Sequence, residues 1–337
     1  MKSRRVTIQR VAEKAGVTRT TVSLALRSDP RIPARTREKI QELADGMGYR
    51  PDPMLSALAK YRNRVRDYDQ GGVILFLIHE SLEKGSLPSW LQHLVRGIQN
   101  RGLKLGYTTT VFSMPDNGGK DTRINHILHH RGIRSLIVGP MPQREPELNL
   151  SWENYTSVAI GEHAGNPGLH LVRPDYFENT ITAMHHVMAG GYRRIGYVVS
   201  EGTEKRFDHQ WLAAYLKEKA ICAGRTVFLP PLYRSGAEAL RNWIGKHRPD
   251  CILTLEPAVS KHLERLKIAL PGDVGLCHLA TESSAHPNVS GIFQNLEQVG
   301  ETAVEMMHNL LLRDERGAPI FRQRILISGQ WVNGETI

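Results

Sequence analysis

Cysteine is scarce: three in 337 residues, Cys222, Cys251 and Cys277, odd in number and widely spaced. That excludes a disulfide framework and a cysteine-based zinc site, and it suits a reducing compartment. Long apolar runs are missing too. With no stretch of about 18 apolar residues, a transmembrane helix is not expected. The basic start MKSRRVTIQRVAEKAG lacks the apolar core of a secretory signal. A cytoplasmic protein is the expectation. Reactive constellations are equally thin. NGGKDT has the wrong spacing for a phosphate-binding loop, and no Gly-x-Gly-x-x-Gly follows a strand. No nucleophile elbow or acid–base dyad is found. His126, His129 and His130, like the pair His185-His186, lack partners at metal-ligand spacing. No metal, no cofactor and no enzymatic activity are expected.

What is present is positive charge in one place. The net charge is +10. Residues 1–66 hold 16 Lys and Arg against 6 Asp and Glu, and the rest of the chain holds 28 of each. The whole excess lies in the first fifth. Such asymmetry is the footprint of a nucleic-acid-binding module, because each phosphate neutralised releases counterions. A solvated basic arm is the plainer reading, and the residue pattern decides between them.

Val6–Arg27, VTIQRVAEKAGVTRTTVSLALR, reads as two short helices around a tight turn. Thr7 caps the first helix, and Val11, Ala12 and Ala15 give it a small apolar face. Gly16 supplies the turn, since glycine takes positive φ without penalty. Thr18 caps the second helix. At about 100° per residue, Thr21, Val22, Ala25 and Leu26 share one side, and Arg19, Thr20, Ser23, Leu24 and Arg27 the other. A third helix follows Pro33, with Ile40, Leu43, Ala44 and Met47 inward and Gly48 at its end. Three short helices with such a turn make a helix-turn-helix, whose second helix enters the major groove.

VTIQRVAEKAGVTRTTVSLAL and TREKIQELADGMGYRPDPMLSAL together resemble the headpiece of the lactose-repressor (LacI/GalR) family of bacterial transcription regulators, from Val6 to about Leu58. The resemblance implies base-edge reading by Arg19, Thr20 and Leu24, and phosphate contacts by Thr7, Thr18, Thr21 and Ser23. Arg4 and Arg5 are expected on phosphates. Leu24 replaces the commoner Arg, which leaves a thymine-methyl contact or headpiece packing. RPDPMLSAL falls where the family has its hinge helix, and Leu58 where a leucine wedges between base pairs. Asp52 replaces the usual Asn there and Leu55 a small Ala. Packing on the following domain is the alternative for Leu58.

From Gly72 short apolar strands alternate with amphipathic helices, which implies parallel sheets covered by helices. Roughly 260 residues make two such lobes. GYRRIGYVVS, RPDCILTL, LPGDVGL and FQNLEQVGETAVEMM resemble the family's regulatory domain, itself similar to periplasmic sugar-binding proteins. The expected architecture is an all-α helix-turn-helix headpiece over 1–50, a hinge and linker over 51–66, and a two-lobed α/β periplasmic-binding-protein-like domain over 67–337. Lobe 1 takes about 72–172 and 293–319, and lobe 2 about 175–290 and 321–337. Three lobe crossings are expected near 172–175, 290–294 and 318–322.

The cleft between lobes is the expected effector site. Trp90 falls where the family often has an aromatic, with a core position as the alternative. Arg206, Asp208, His209 and Trp211 gather at a helix start, where capping and surface ion pairs would do as well. Glu256-Pro257 stands where Asn-Asp is usual, and His278–Thr281 replaces Gly-Phe-Asp-Asp. Gln294 matches a cleft or hinge position. The resemblance implies a homodimeric repressor on double-stranded operator DNA, nucleoid-bound when engaged and controlled by a small-molecule, carbohydrate-like effector. A sugar-binding protein or sugar-acting enzyme without a DNA role is the rival.

Overall fold

The computed structural model describes residues 6–26, 29–49, 72–82, 87–114, 123–140, 148, 150–161, 168–222, 224–234, 236–281 and 288–337. The chain divides into two compact units, Met1–Gln70 and Gly71–Ile337.

In the first unit α1 (Ile8–Ala15), α2 (Arg19–Leu26) and α3 (Ala34–Gly46) enclose a core of Val11, Ala12, Val22, Ala25, Ile40 and Ala44. Mostly small side chains let three short helices approach closely enough to exclude water. Thr7 Oγ1 accepts the Arg10 N–H at 3.4 Å. Gly16 turns at φ 66°, and its N–H returns to the carbonyls of Ala12 and Glu13. Gln41 Nε2 donates to the Ala25 carbonyl at 2.9 Å, tying α3 to the end of α2.

The second unit holds two six-stranded sheets. Lobe 1 has β1 (Val73–His79), β2 (Thr108–Met114), β3 (Ser135–Val138), β4 (Thr156–Ile160), β5 (His170–Pro174) and β11 (Arg324–Ile327), in the order β11-β5-β4-β3-β1-β2, all parallel. Lobe 2 has β6 (Arg194–Val198), β7 (Val227–Phe228), β8 (Cys251–Thr254), β9 (Gly275–Thr281), β10 (Ser290–Phe293) and β12 (Gln330–Val332), in the order β12-β10-β9-β8-β6-β7. Only β12 runs antiparallel, against β10. Helices cover both faces of each sheet, which is why β1 and β8 are apolar without alternation. The helices are α4 (Ser89–Lys104), α5 (Arg123–His130), α6 (Tyr176–Ala189), α7 (Glu201–Arg206), α8 (Gln210–Ile221), α9 (Ala237–His247), α10 (Ala258–Arg265) and α11 (Leu296–Arg313). Among the described residues no helix is long and apolar enough to cross a membrane.

The chain crosses between lobes at Asp175, at Gln294–Asn295 and at Ser328–Gly329. The third crossing lies later than the expected 318–322, and residues 321–327 belong to lobe 1 instead of lobe 2. Pairing decides this: Arg324–Ile327 registers with Leu171–Pro174 of β5 before the chain turns. The crossings are laced together. Asp175 N donates to Ile327 O at 2.9 Å, Asn295 Nδ2 to Ser328 O at 2.8 Å, and Gly329 N to Asn179 Oδ1 at 2.7 Å.

A pH response follows from the joint between β5 and the segment leading into β11. His170 is buried, and its Nδ1 accepts the Gln323 N–H at 3.0 Å. Burial holds its pKa below 6.5, so the folded state prefers the neutral ring. The unfolded chain then binds the extra proton, and lobe 1 loses stability as pH falls below 6.5 and onward through the lowered folded value. Melting temperatures of wild type and His170→Asn across pH 5–8 should diverge on the acid side, with the variant flatter. Parallel curves would remove His170 from the account.

Candidate functional site

The exposed side of α2 is the first candidate. Val22 and Ala25 are buried, which leaves Arg19 and Thr20 exposed and Thr21, Ser23 and Leu24 partly so. Thr18 Oγ1 accepts the Thr21 N–H at 3.2 Å and shares a hydrogen bond of 2.9 Å with Thr21 Oγ1. One of these two hydroxyls keeps its proton for an outside acceptor, so capping and phosphate contact are compatible. Leu24 is only half-buried, the exposure a groove contact needs. Arg4, Arg5, Arg27, Asp52, Leu55 and Leu58 lie outside the described residues.

The second candidate lies at the carboxyl ends of the strands. In each sheet successive crossovers reverse direction beside the first strand, between β1 and β3 in lobe 1 and between β6 and β8 in lobe 2. Such switch points open the crevices where parallel sheets take ligands. At the lobe 2 point, Glu256 Oε1 accepts from Ser200 N at 2.8 Å and from Thr203 Oγ1 at 3.2 Å, fastening the start of α7. Glu256 and His278 line one cavity of about 120 Å³ together with Pro257, Ser260, Ala280 and Thr281. His278 Nδ1 accepts the Ala280 N–H at 3.3 Å, which leaves its proton on Nε2.

The cluster expected around residues 206–211 is only partly assembled. Trp211 is 2% exposed, packed in the lobe 2 core between Tyr176 (4.6 Å) and Phe207 (4.7 Å). It offers no free ring face. Helical spacing at 211, 214 and 215 aims those side chains at the sheet, and packing claims the Trp. Asp208 and His209 are exposed on consecutive left-handed turns. His209 Nδ1 stands 3.5 Å from buried Glu204 Oε2, while Tyr197 OH donates to the other oxygen. Burial raises the Glu204 carboxyl pKa. Arg206 lies over the Phe207 ring at 5.5 Å, and desolvation lowers its pKa. Trp90 packs at the edge of the lobe 1 core. Gln294 sits on the second crossing with its Nε2 buried and without a hydrogen-bond partner among the described residues.

Two residues were not singled out from sequence. Arg173, 5% exposed at the end of β5, lies over the Tyr176 ring at 5.1 Å. His79 ends β1 in the core, with Nδ1 receiving Ser81 N at 3.1 Å and 2.7 Å from Ser81 Oγ. Both terminate apolar strands, and that position at a strand's carboxyl end was the available signal.

The profile of bacterial regulatory proteins of the lacI family matches residues 7–52, and that of periplasmic binding protein-like domains matches residues 184–337. The HTH-type transcriptional regulator PtxS of Pseudomonas aeruginosa is 24% identical over 315 residues, covering 90% of this chain and 88% of that protein. The HTH-type transcriptional regulator DegA of Bacillus subtilis is 19% identical, covering 97% of each. The lac repressor dimer bound to operator and an anti-inducer superposes with a TM-score of 0.58 at 17% identity, over 99% of both chains. A complex of the transcriptional regulator CelR with cellobiose gives 0.59 at 18%, over 99% of this chain and 100% of that one. A headpiece that matches the lacI-family profile, on a two-lobed domain of periplasmic-binding-protein-like fold, makes this chain similar along its length to lacI-type DNA-binding transcription regulators.

Proposed function

We propose that the chain is a cytoplasmic repressor that binds operator DNA as a homodimer and answers to an oxygen-rich, carbohydrate-like effector in the inter-lobe cleft. The observation that carries the DNA half is the α2 surface, where Arg19 and Thr20 stand clear of a core that fixes the helix. Arg paired to guanine discriminates against wrong bases by about 1–3 kcal/mol. Arg19→Ala should therefore flatten preference at one base pair in a randomised-site selection. A uniform loss over all sequences would assign Arg19 to phosphates.

Support for the effector half comes from donors near the crossings. Gln294 Nε2, on the second crossing, is buried without a hydrogen-bond partner among the described residues, Arg173 lies over the Tyr176 ring, and Arg206 over that of Phe207. Buried polar groups normally find partners, so an orphaned donor favours a ligand rich in oxygen acceptors. In a thermal-shift panel of mono- and disaccharides, a binding sugar at roughly 100-fold excess over Kd adds about 2.7 kcal/mol of stability. Arg206→Ala should abolish that gain and leave operator binding of the unliganded protein intact. No response to any sugar would retire the carbohydrate reading.

A further inference from the structure

A second cavity, of about 480 Å³, opens in lobe 1 at the amino ends of β3 and β4. The lobe crossings leave from the carboxyl end of β5, so this cavity is at the opposite end of the sheet from the cleft. Its wall carries four basic side chains: His126 and His129 on one face of α5, Arg134 just before β3, and Arg316 beyond α11. Asn125 and Asn154 also line it, and among the described residues no carboxylate does.

The frame around these groups is hydrogen-bonded from three sides. Thr156 N donates to Arg134 O at 2.8 Å and Gly317 N to Tyr155 O at 2.9 Å. Thr156 Oγ1 donates to Glu315 O at 2.8 Å, and Ser151 N to Asn125 Oδ1 at 3.0 Å. The segments bearing Arg134, Asn154 and Arg316 are thus held together by backbone contacts. Arg316 shares its charge with exposed Asp314 at 3.1 Å, and Arg134 has no ion-pair partner among the described residues. Two guanidiniums beside two imidazole rings line one concavity, and an anion there accepts charge-assisted hydrogen bonds from the arginines. The lining aromatic, Tyr155, is 3% exposed, so no ring face is available for a neutral sugar.

We propose that this cavity binds a small phosphate-bearing metabolite, as an anion site separate from the cleft. Its volume falls in the usual range for metabolite pockets, and planar guanidiniums match phosphate oxygens. The ligand would bear on lobe 1 alone, at the end of the sheet where β1 begins.

Inorganic pyrophosphate is the probe, titrated calorimetrically into the full-length protein at ionic strength held constant with chloride. Saturable binding is expected, weakened at least tenfold by Arg134→Gln and by His129→Gln, and unchanged by Arg206→Gln in the cleft. All three side chains are at least partly exposed, and unliganded melting temperatures should confirm that each variant folds. Should one fail to fold, the other lobe 1 variant carries the comparison. Affinity unaltered in both lobe 1 variants, or no saturable binding, overturns the proposal; the first result would assign the pyrophosphate to the basic headpiece. If the lobe 1 variants instead weaken binding of duplex DNA and leave pyrophosphate untouched, the basic wall serves DNA phosphates, and the metabolite site is equally refuted.

Discussion

A fragment beginning at Gly71 should lose operator binding by at least about a thousandfold, the usual margin between specific and non-specific association. Every excess positive charge of the chain lies before residue 67, and the only helix-turn-helix among the described residues packs its own core there. The fragment itself carries 28 basic against 26 acidic residues, a small excess to hold a polyanion beside the +10 of residues 1–66. For the intact protein, log affinity should fall against log salt with a slope of about 0.9 per phosphate contacted. Fluorescence anisotropy on a labelled operator at several salt concentrations measures both quantities. A fragment that keeps the parent's salt slope would falsify the view that the headpiece supplies the affinity. The compact division after Gln70 means that the fragment retains both sheets, so lost binding could not be blamed on lost lobes.

The second large effect concerns Gly97. In α4 it meets α11, and a Cβ built there would lie 2.0 Å from the Glu297 carbonyl oxygen. Gly300 faces back, its Cβ position 2.5 Å from the Leu94 carbonyl oxygen. Two glycines thus let the helices touch backbone to backbone, with Arg96–Glu297 (2.6 Å) and Arg101–Glu305 (2.8 Å) bridging the same seam. Gly97→Val has no flexible neighbour to displace, so the helices must separate. Overpacking costs about 1–3 kcal/mol, and more against backbone. The melting temperature should fall on the order of 5–10 °C, given roughly 2–4 °C per kcal/mol at this size. Because α11 starts directly after the second crossing, the same variant should blunt any sugar-dependent stabilisation. Gly245→Ala is the control: it is helical, exposed and without a neighbour within 4 Å, and should stabilise by up to about 1 kcal/mol. Equal behaviour of the two variants would remove the close approach from the explanation.

The headpiece was readable because its signals are local. The Thr7 cap, the Gly16 turn and the 3.6-residue apolar spacing each act within one or two turns of helix, and each appears in the structure. Most lobe strands were legible for the same reason, since β1, β3, β4, β6 and β8 are short apolar runs between helices. β5, β10, β11 and β12 carry no such apolar run. They contain Arg173 or Gly291, or alternate with exposed positions, and their strand character comes from neighbours far along the chain.

The headpiece and the alternation of strand and helix were determined by the sequence alone, because capping, periodicity and charge are properties of neighbouring residues. The tertiary structure decided the rest. It moved the third crossing to Ser328–Gly329, because β11 bonds to β5, about 150 residues earlier in the chain, before turning. It committed Trp211 to the lobe 2 core, while joining Glu256 with His278 in one cavity. It also gathered His126, His129, Arg134 and Arg316 around another, across nearly 200 residues of chain. Which polar side chain reaches solvent and which is taken up by packing depends on long-range pairing, and no local pattern encodes it.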